Sequence, residues 1–345
     1  MAQDNVPLML NGLSGNLLPR NVVGPIFDQA QEQSVVLRFG QSIPVGFGDT
    51  AIPTVTQRPE VGVVGLQGET PKPDGSEYYG EGKRKPVSSY AYGVETIRPI
   101  KLSTIVVVSE EFQRSNIDGF YSQISSDLAF AVARGIDLAV LYGKSANNGA
   151  DIPGVKFLNQ TSNSVAIGTT PATEGGMAGD IAALANAIGN AGPGYDVNGF
   201  AADPRLRFQV MAATDQFGRP IFQPGQAPSL TNQVDSLMGI PVVYGRSVSG
   251  RVGANPDTGV RAFAGDWSGQ LRYGYALDMT IKTSNQAMVT DSDGTDLNLW
   301  QNNLVALLVE TVFGWAVGDV GAFGKLTAET TPPDGDVTAR VEGQA

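Results

Sequence analysis

Asp118-Gly119-Phe120-Tyr121-Ser122-Gln123-Ile124-Ser125-Ser126-Asp127-Leu128-Ala129-Phe130-Ala131-Val132-Ala133-Arg134-Gly135-Ile136-Asp137-Leu138-Ala139-Val140-Leu141-Tyr142-Gly143 is the stretch on which the fold turns. Phe120, Ile124, Leu128, Val132 and Ile136 step by four, Tyr121, Ala131 and Leu138 widen the stripe, and Tyr142-Gly143 supplies a stop. That pattern predicts one amphipathic helix over 118–143, about 39 Å long at roughly 1.5 Å per residue. Just upstream, Ser109-Glu110-Glu111 follows a valine-rich run and reads as a helix start, Ser109 as the cap and two carboxylates at the positive end of the dipole. Asp118-Gly119 then restarts the helix.

Ahead of it, residues 45–108 read as two extended runs about a polar centre. Ile52, Val55, Val61, Val63 and Val64 go out, and Val94, Ile97, Ile100, Leu102 and residues 105–108 come back. The centre, from Gly68 through Lys72-Pro73-Asp74-Gly75 to Pro86, is dense in turn formers and predicts a loop tip. Fully extended, residues 87–108 would reach about 70 Å at roughly 3.3 Å each, beyond the radius of a compact domain of this size, so the run must project or bend. Pro53, Pro59 and Pro99 each remove a ladder donor, which suits an edge or a two-stranded arm. Such a hairpin is marginal alone and implies a neighbouring surface. The first forty residues read as an extended arm, with Leu17-Leu18-Pro19-Arg20 and a brief helix around Ile26, Ala30 and Gln33.

Beyond the long helix, residues 159–179 are rich in Asn, Ser, Thr and Gly and mark a boundary. Helix-like 180–190, strand-like 199–202, a helix opening at Asp203-Pro204 and strand-like 240–244 predict an α+β domain. Residues 304–309 continue to 313–317 as a run too apolar for a surface, a buried closing strand. The polar stretch 327–345 predicts a disordered tail.

Composition removes whole classes of chemistry. The 345 residues include neither cysteine nor histidine, which excludes disulfides, thiolate nucleophiles, Ser-His-Asp and Cys-His machinery and the usual zinc sites. A net charge of −11 repels phosphates, so this is no ordinary nucleic-acid binder. The start lacks the positive and apolar regions of a secretory signal, and no apolar run is long enough to span a membrane. An apolar content of 41% nevertheless argues for a folded core, while 43 glycines and 21 prolines require many turns.

The candidate motifs have plain explanations. Gly143-Lys144-Ser145 has Leu138 where a phosphate loop needs glycine and follows a helix instead of preceding one, so it reads as a helix stop. Asp291-Ser292-Asp293-Gly294-Thr295-Asp296 places its glycine too early for a calcium loop and lacks the closing glutamate. Lys83-Arg84-Lys85 reads as a solvated loop or a contact with an acidic neighbour. Glu110 and Glu111 point about 100° apart on a helix and do not form a catalytic pair. Asn159-Gln160-Thr161 matches a glycosylation acceptor by chance.

The landmarks Leu17-Leu18-Pro19, Val106-Val107-Val108-Ser109-Glu110-Glu111-Phe112, Asp137 through Gly143, Ile152-Pro153-Gly154-Val155, Asp203-Pro204, Asp215 through Pro220, Met238-Gly239-Ile240-Pro241-Val242-Val243, Gly265-Asp266-Trp267 and Phe313-Gly314-Trp315-Ala316-Val317 span most of the chain. Their order resembles the major capsid proteins of tailed bacteriophages, the Hong Kong ninety-seven capsid fold, which encapsulin shells share. The resemblance implies an α+β chain with an N-terminal arm at 1–44, an extended two-stranded loop at 45–108, and a peripheral domain with a long spine helix at 109–176. An axial domain at 177–276, return strands of the peripheral domain at 277–326 and a flexible tail at 327–345 complete it. The implied function is a structural one: self-assembly, through pentamers and hexamers, into the icosahedral shell that encloses double-stranded DNA without sequence-specific binding.

It also implies a covalent option. In some members a lysine at the extended-loop tip attacks an asparagine side chain of a neighbouring subunit, assisted by a glutamate seven residues after that asparagine. Lys72, Asn303 and Glu310 hold those places. The chemistry wants a neutral amine, an apolar surround, for which Leu304, Leu307, Leu308 and Val309 are candidates, and a proton-accepting carboxylate. If 303–310 is a strand, an odd separation puts Asn303 and Glu310 on opposite faces, which counts against it. Beside this stands the reading in which Lys72 is solvated, Asn303 a turn residue and Glu310 an ion-pair member. No cofactor, metal or membrane is expected. A separate scaffolding protein is expected because the stretch ahead of Leu17 leaves no room for a fused one, with portal and decoration proteins as further partners. The expected location is the virion capsid, assembled in the bacterial host cytoplasm. A cargo-holding nanocompartment shell is the alternative within the fold, and a carboxylate-dependent soluble enzyme the alternative outside it.

Overall fold

The computed structural model describes residues 34–61, 87–110, 117–192, 194–213, 217, 236–290 and 294–328. The described chain opens with α1 (Val35–Phe39) and β1 (Gln41–Ser42), then β2 (Thr50–Gln57), β3 (Ala91–Ile97), β4 (Ile100–Ser109) and the long helix α2 (Ile117–Tyr142). There follow β5 (Ser164–Ala166), α3 (Gly176–Ala191), β6 (Gly199–Ala202), α4 (Pro204–Ala212), β7 (Ser236–Leu237) and β8 (Ile240–Tyr244). Then come β9 (Val260–Gly265), α5 (Trp267–Gln270), β10 (Leu271–Ser284), β11 (Met288–Thr290), β12 (Asp296–Asn298), β13 (Leu304–Val317) and β14 (Phe323–Thr327). Residues 49–97 form one compact unit and the remainder another.

In the larger unit a four-stranded sheet is ordered β1-β10-β13-β4. Its organiser is β13, buried along nearly its whole length, which is why its sequence is apolar on both faces, apart from Glu310-Thr311, instead of alternating. Val305, Leu307 and Val309 point to one face. There they join Val108, Leu128, Ala129, Ala133 and Met279, with Ile124 of α2 between them. Leu304 and Ala306 point to the other, against Leu299. The α2 stripe behaves accordingly: Leu128 and Ile136 are buried, and Ile124 and Val132 half-buried. The helix stops at Gly143, whose φ of 65° is left-handed and where a Cβ would lie 2.5 Å from the Phe157 ring, so only glycine fits.

A six-stranded sheet is ordered β5-β14-β9-β6-β8-β7. One face packs on α3 through Ile181, Leu184 and Ile188 against Phe200, Ala262, Ala264 and Leu326. The opposite face gives Phe263 and Phe323 to the principal core, which also holds Trp267, Trp315, Tyr142 and the α1 residues Val35 and Val36. Helix α3 starts four residues earlier than the expected 180–190. Asp180, which looks like a start signal, is instead fully buried and accepts hydrogen bonds from the Gly168 and Thr170 N–H groups and the Thr169 and Thr170 hydroxyls. Asp203 does cap α4, taking the Arg205 N–H at 2.8 Å, with Pro204 at its first position.

In the smaller unit β2 and β3 pair antiparallel from Thr50↔Ile97 to Gln57↔Ala91, Pro53 lying within β2 opposite Val94. Tyr92 and Val94 are 67% and 66% exposed. The returning extended run is therefore divided at Arg98-Pro99: β3 stays in the ribbon, while β4 belongs to the four-stranded sheet. Ser109 ends β4 as a strand residue, and only Glu110 of the expected helix start falls among the described residues in helical form. The expected loop tip with Lys83-Arg84-Lys85, the N-terminal arm ahead of Ser34, and residues 329–345 lie outside the described residues.

Candidate functional site

Glu310 sits mid-strand in β13, opposite Ser103 of β4 and Thr280 of β10. Lys101 lies across from Val312 and Lys282 across from Leu308, so each lysine is a diagonal neighbour of Glu310 on the same sheet face. Lys282 Nζ donates to Oε2 at 2.8 Å and Lys101 Nζ pairs with Oε1. The carboxylate is 11% exposed, the two ammonium-bearing side chains 57% and 65%. Lys101 first and Lys282 second hold the Glu310 carboxyl below the usual glutamate range. Neither lysine is recognisable from linear spacing; only the strand register brings them in.

A carboxylate already held by two cations is a poor proton acceptor, because taking a proton sacrifices both attractions. Its effect on stability has a definite sign. The folded value is the lower one, so the stabilisation is complete above the unfolded value near about 4.3 and is lost as pH falls through the folded value. Urea titrations of wild type and Glu310→Gln at a series of pH values are expected to show a stability gap that is constant near neutrality. The gap closes below roughly pH 4.

Asn303 stands just before β13, exposed, with φ 51°, one of two non-glycine residues in the left-handed region among those described. Asparagine tolerates that conformation better than most side chains. Its carbonyl accepts the Glu110 N–H at 2.8 Å, and the Leu304 N–H bonds back to Leu299 O at 2.9 Å. The left-handed turn takes Asn303 out of the strand ladder, and seven residues of mostly extended chain, about 23 Å, separate it from Glu310 within one copy. Lys72 lies outside the described residues. Leu304, Leu307 and Val309 are enclosed in the chain's own cores and Leu308 is half-buried. The exposed apolar side chains of the adjoining turn and hairpin are Trp300 and Met288, 66% and 64% exposed.

A second constellation joins three segments. Asp137 of α2 is fully buried and accepts the Ser34 hydroxyl at 2.5 Å, the Ser247 hydroxyl at 2.8 Å, and the Val36 and Val35 N–H groups at 3.2 and 3.3 Å. The carboxylate thereby satisfies the first amides of α1, which have no partner inside their own helix. Burial pushes its pKa up, against the pull of the four donors. A lone acid between Ile136 and Leu138 was the available signal for such a role. Asn159, half of the chance glycosylation match, takes Lys325 Nζ on its backbone and side-chain oxygens, both at 3.0 Å. Among the described residues no group of acidic side chains is arranged to hold a metal ion, and no helix is long and apolar enough to cross a membrane.

The chain resembles the "Probable major capsid protein gp17" of Mycobacterium phage L5, 28% identical over 313 residues, covering 87% of this chain and 86% of that one. The protein of the same description from Mycobacterium phage D29 is 27% identical over 320 residues with the same coverage. A solved structure from Gordonia phage Cozz has a TM-score of 0.67 and 29% identity, covering 86% of each chain. The model of the Phage capsid family matches residues 14–328, a span that takes in both sheets, the ribbon and the long helix. A match of that extent, on a fold shared with a phage structure, leaves one conclusion: the chain belongs to the phage capsid family.

Proposed function

We infer that this chain is a major capsid protein, whose copies tile into the closed icosahedral shell of a tailed-phage head and remain in the virion. The carrying observation is the family match from residue 14 to 328 on a structurally similar fold. Its role is structural, not enzymatic. Residues 49–97 serve as the extended loop laid over a neighbour, and 100–176 with 277–326 as the peripheral domain built on α2. Residues 177–276 form the axial domain that gathers at capsomer centres. The marginal stability of a two-stranded ribbon supports the loop assignment. Assembly proceeds in the host cytoplasm with a separate scaffolding protein, and portal and decoration proteins complete the particle. Electron microscopy of the expressed chain with its scaffold is expected to show closed shells; a stable monomer or dimer under those conditions would overturn this reading.

The cross-link is the finer part of the proposal. The neutral Lys72 amine attacks the side-chain carbonyl carbon of Asn303 and a new C–N bond forms; the proton shed by the amine passes to Glu310, which returns it to the departing nitrogen as the old C–N bond breaks and ammonia leaves. The exposure of Asn303 supports its role as target. The extended separation along β13 requires that an Asn303 and a Glu310 acting together come from different copies. Glu310 must also release one lysine to accept the proton. Denaturing electrophoresis of mature particles tests this: a ladder of multimers is expected, abolished by Lys72→Arg, Asn303→Asp or Glu310→Ala. A single monomer band from mature wild-type heads removes the cross-link and leaves the shell standing.

A further inference from the structure

The dipeptide Asn-Gly occurs twice among the described residues, at 148–149 and 198–199, in opposite settings. Asn198 is clamped. Its Nδ2 donates to Asp266 Oδ1 and Ser268 Oγ, both at 2.7 Å, and its Oδ1 accepts the Trp267 N–H at 2.9 Å. Gly199 beside it is buried in β6, opposite Gly265 of β9. Asn148 is instead exposed, in the loop that follows α2. Its Oδ1 accepts the Ala150 N–H at 3.1 Å, a bond that folds the side chain back along its own backbone. Gly149 has φ 70° and no side chain to shield its nitrogen, whose N–H is bonded to Ser145 O at 3.0 Å.

We propose that Asn148 is a site of spontaneous modification, converted through a cyclic imide with Gly149 into aspartate or isoaspartate, with water as the one reactant consumed. Hydroxide removes the Gly149 N–H proton, and the nitrogen attacks Cγ of Asn148 to close a five-membered ring. Negative charge develops on Oδ1, where the Ala150 N–H already points. The Cγ–Nδ2 bond then breaks, and Nδ2 leaves as ammonia with a proton from water, which restores the hydroxide. A second water opens the ring. Breaking the new Cγ–N bond leaves aspartate; breaking the original backbone C–N bond leaves isoaspartate. Either product adds a negative charge to a chain of net charge −11, in a loop where Lys144 already faces Asp151 at 4.0 Å. Isoaspartate also lengthens the backbone by a methylene inside a loop closed by Ser145 N–H on Ala150 O at 2.9 Å and Ile152 N–H on Gly143 O at 2.7 Å. Asn255 Nδ2, donating to Ser145 O at 3.1 Å, carries that disturbance to the 252–255 turn. The inference does not rest on the shell reading: it concerns each folded copy, assembled or not.

Peptide mass mapping of the full folded chain, sampled during storage at about 37 °C and about pH 8, reads the conversion site by site. Two internal references stand beside Asn148. Asn147 shares its loop and exposure but is followed by a residue with a side chain, and Asn198 shares its glycine but is clamped. Asn148 is expected to convert at least about ten-fold faster than either, and at least about ten-fold faster at about pH 9 than at about pH 7. In the urea-unfolded chain the two Asn-Gly sites are expected to convert at rates within about three-fold of each other, because the clamp on Asn198 is gone. An Asn148 that remains intact after about a month, or that converts no faster than Asn147 and Asn198, overturns the proposal. So does a contrast between Asn148 and Asn198 that survives in urea, which would assign it to flanking sequence instead of to the fold.

Discussion

Asp137→Ala is expected to destabilise the subunit by at least about 4 kcal/mol. Alanine leaves two hydroxyls and two backbone N–H groups without their acceptor inside the core, each deprived group costing roughly 1–3 kcal/mol. The loss is directional as well as large, because those groups come from α1 and from the Arg246–Ser249 turn, and Asp137 is their common partner. Asp137→Asn keeps the shape and one acceptor oxygen but leaves the two groups on the other oxygen without an acceptor, and is expected to cost about 2–3 kcal/mol. That smaller loss has its own pH signature. Burial raises the folded pKa of Asp137, so its contribution is complete below the unfolded value near about 3.9 and declines as pH rises through the folded value. The penalty of Asp137→Asn is therefore larger at about pH 3.5, below the unfolded value, than at about pH 8. Urea midpoints of both variants at the two pH values check magnitude and sign together.

The second large effect is expected at Trp267. Its side chain is fully buried, stacks on Phe39 at a centroid distance of 5.4 Å, meets Phe323 edge-on at 5.4 Å, and donates its indole N–H to Gly199 O at 2.9 Å. It thus joins the last residue of α1 and the first residues of β6 and β14 at one point. Trp267→Ala removes all three contacts and opens a cavity, with an expected loss of about 3–5 kcal/mol. Trp267→Phe retains a ring but deprives Gly199 O of its donor and is expected to cost about 2 kcal/mol. Thermal unfolding of the two variants separates packing from the hydrogen bond. Equal losses would show that the ring contacts contribute little beyond the bond.

Wherever side-chain period and burial agreed, the elements were legible in the sequence. The four-step stripe and Gly143 located α2 to within a residue at each end, and the apolar runs 304–309 and 313–317 located β13 because both its faces are covered. Asp203-Pro204 announced α4 through capping chemistry alone. Asp180 misled because its carboxylate serves the preceding turn instead of its own helix, a difference made by tertiary placement. Glu310 could be named as a candidate, but its two lysines could not, since Lys101 and Lys282 reach it only once β4 and β10 flank β13 in a particular register. The odd separation of Asn303 and Glu310 was visible beforehand. The reading of Asn303 as a turn residue and Glu310 as an ion-pair member, offered beside the cross-link, is the one this chain's fold displays, while the left-handed φ that lifts Asn303 out of the ladder lay beyond reach.

The stubby borders of the six-stranded sheet bear on life before incorporation. A protein made in bulk spends time crowded among its own kind, and sheets with generous margins stack into fibres under such conditions. Strands of two and three residues offer too little purchase for that growth. That sheet is thereby a poor template for open-ended strand addition, and a preparation concentrated for long storage should stay clear of thread-like aggregates seeded from it.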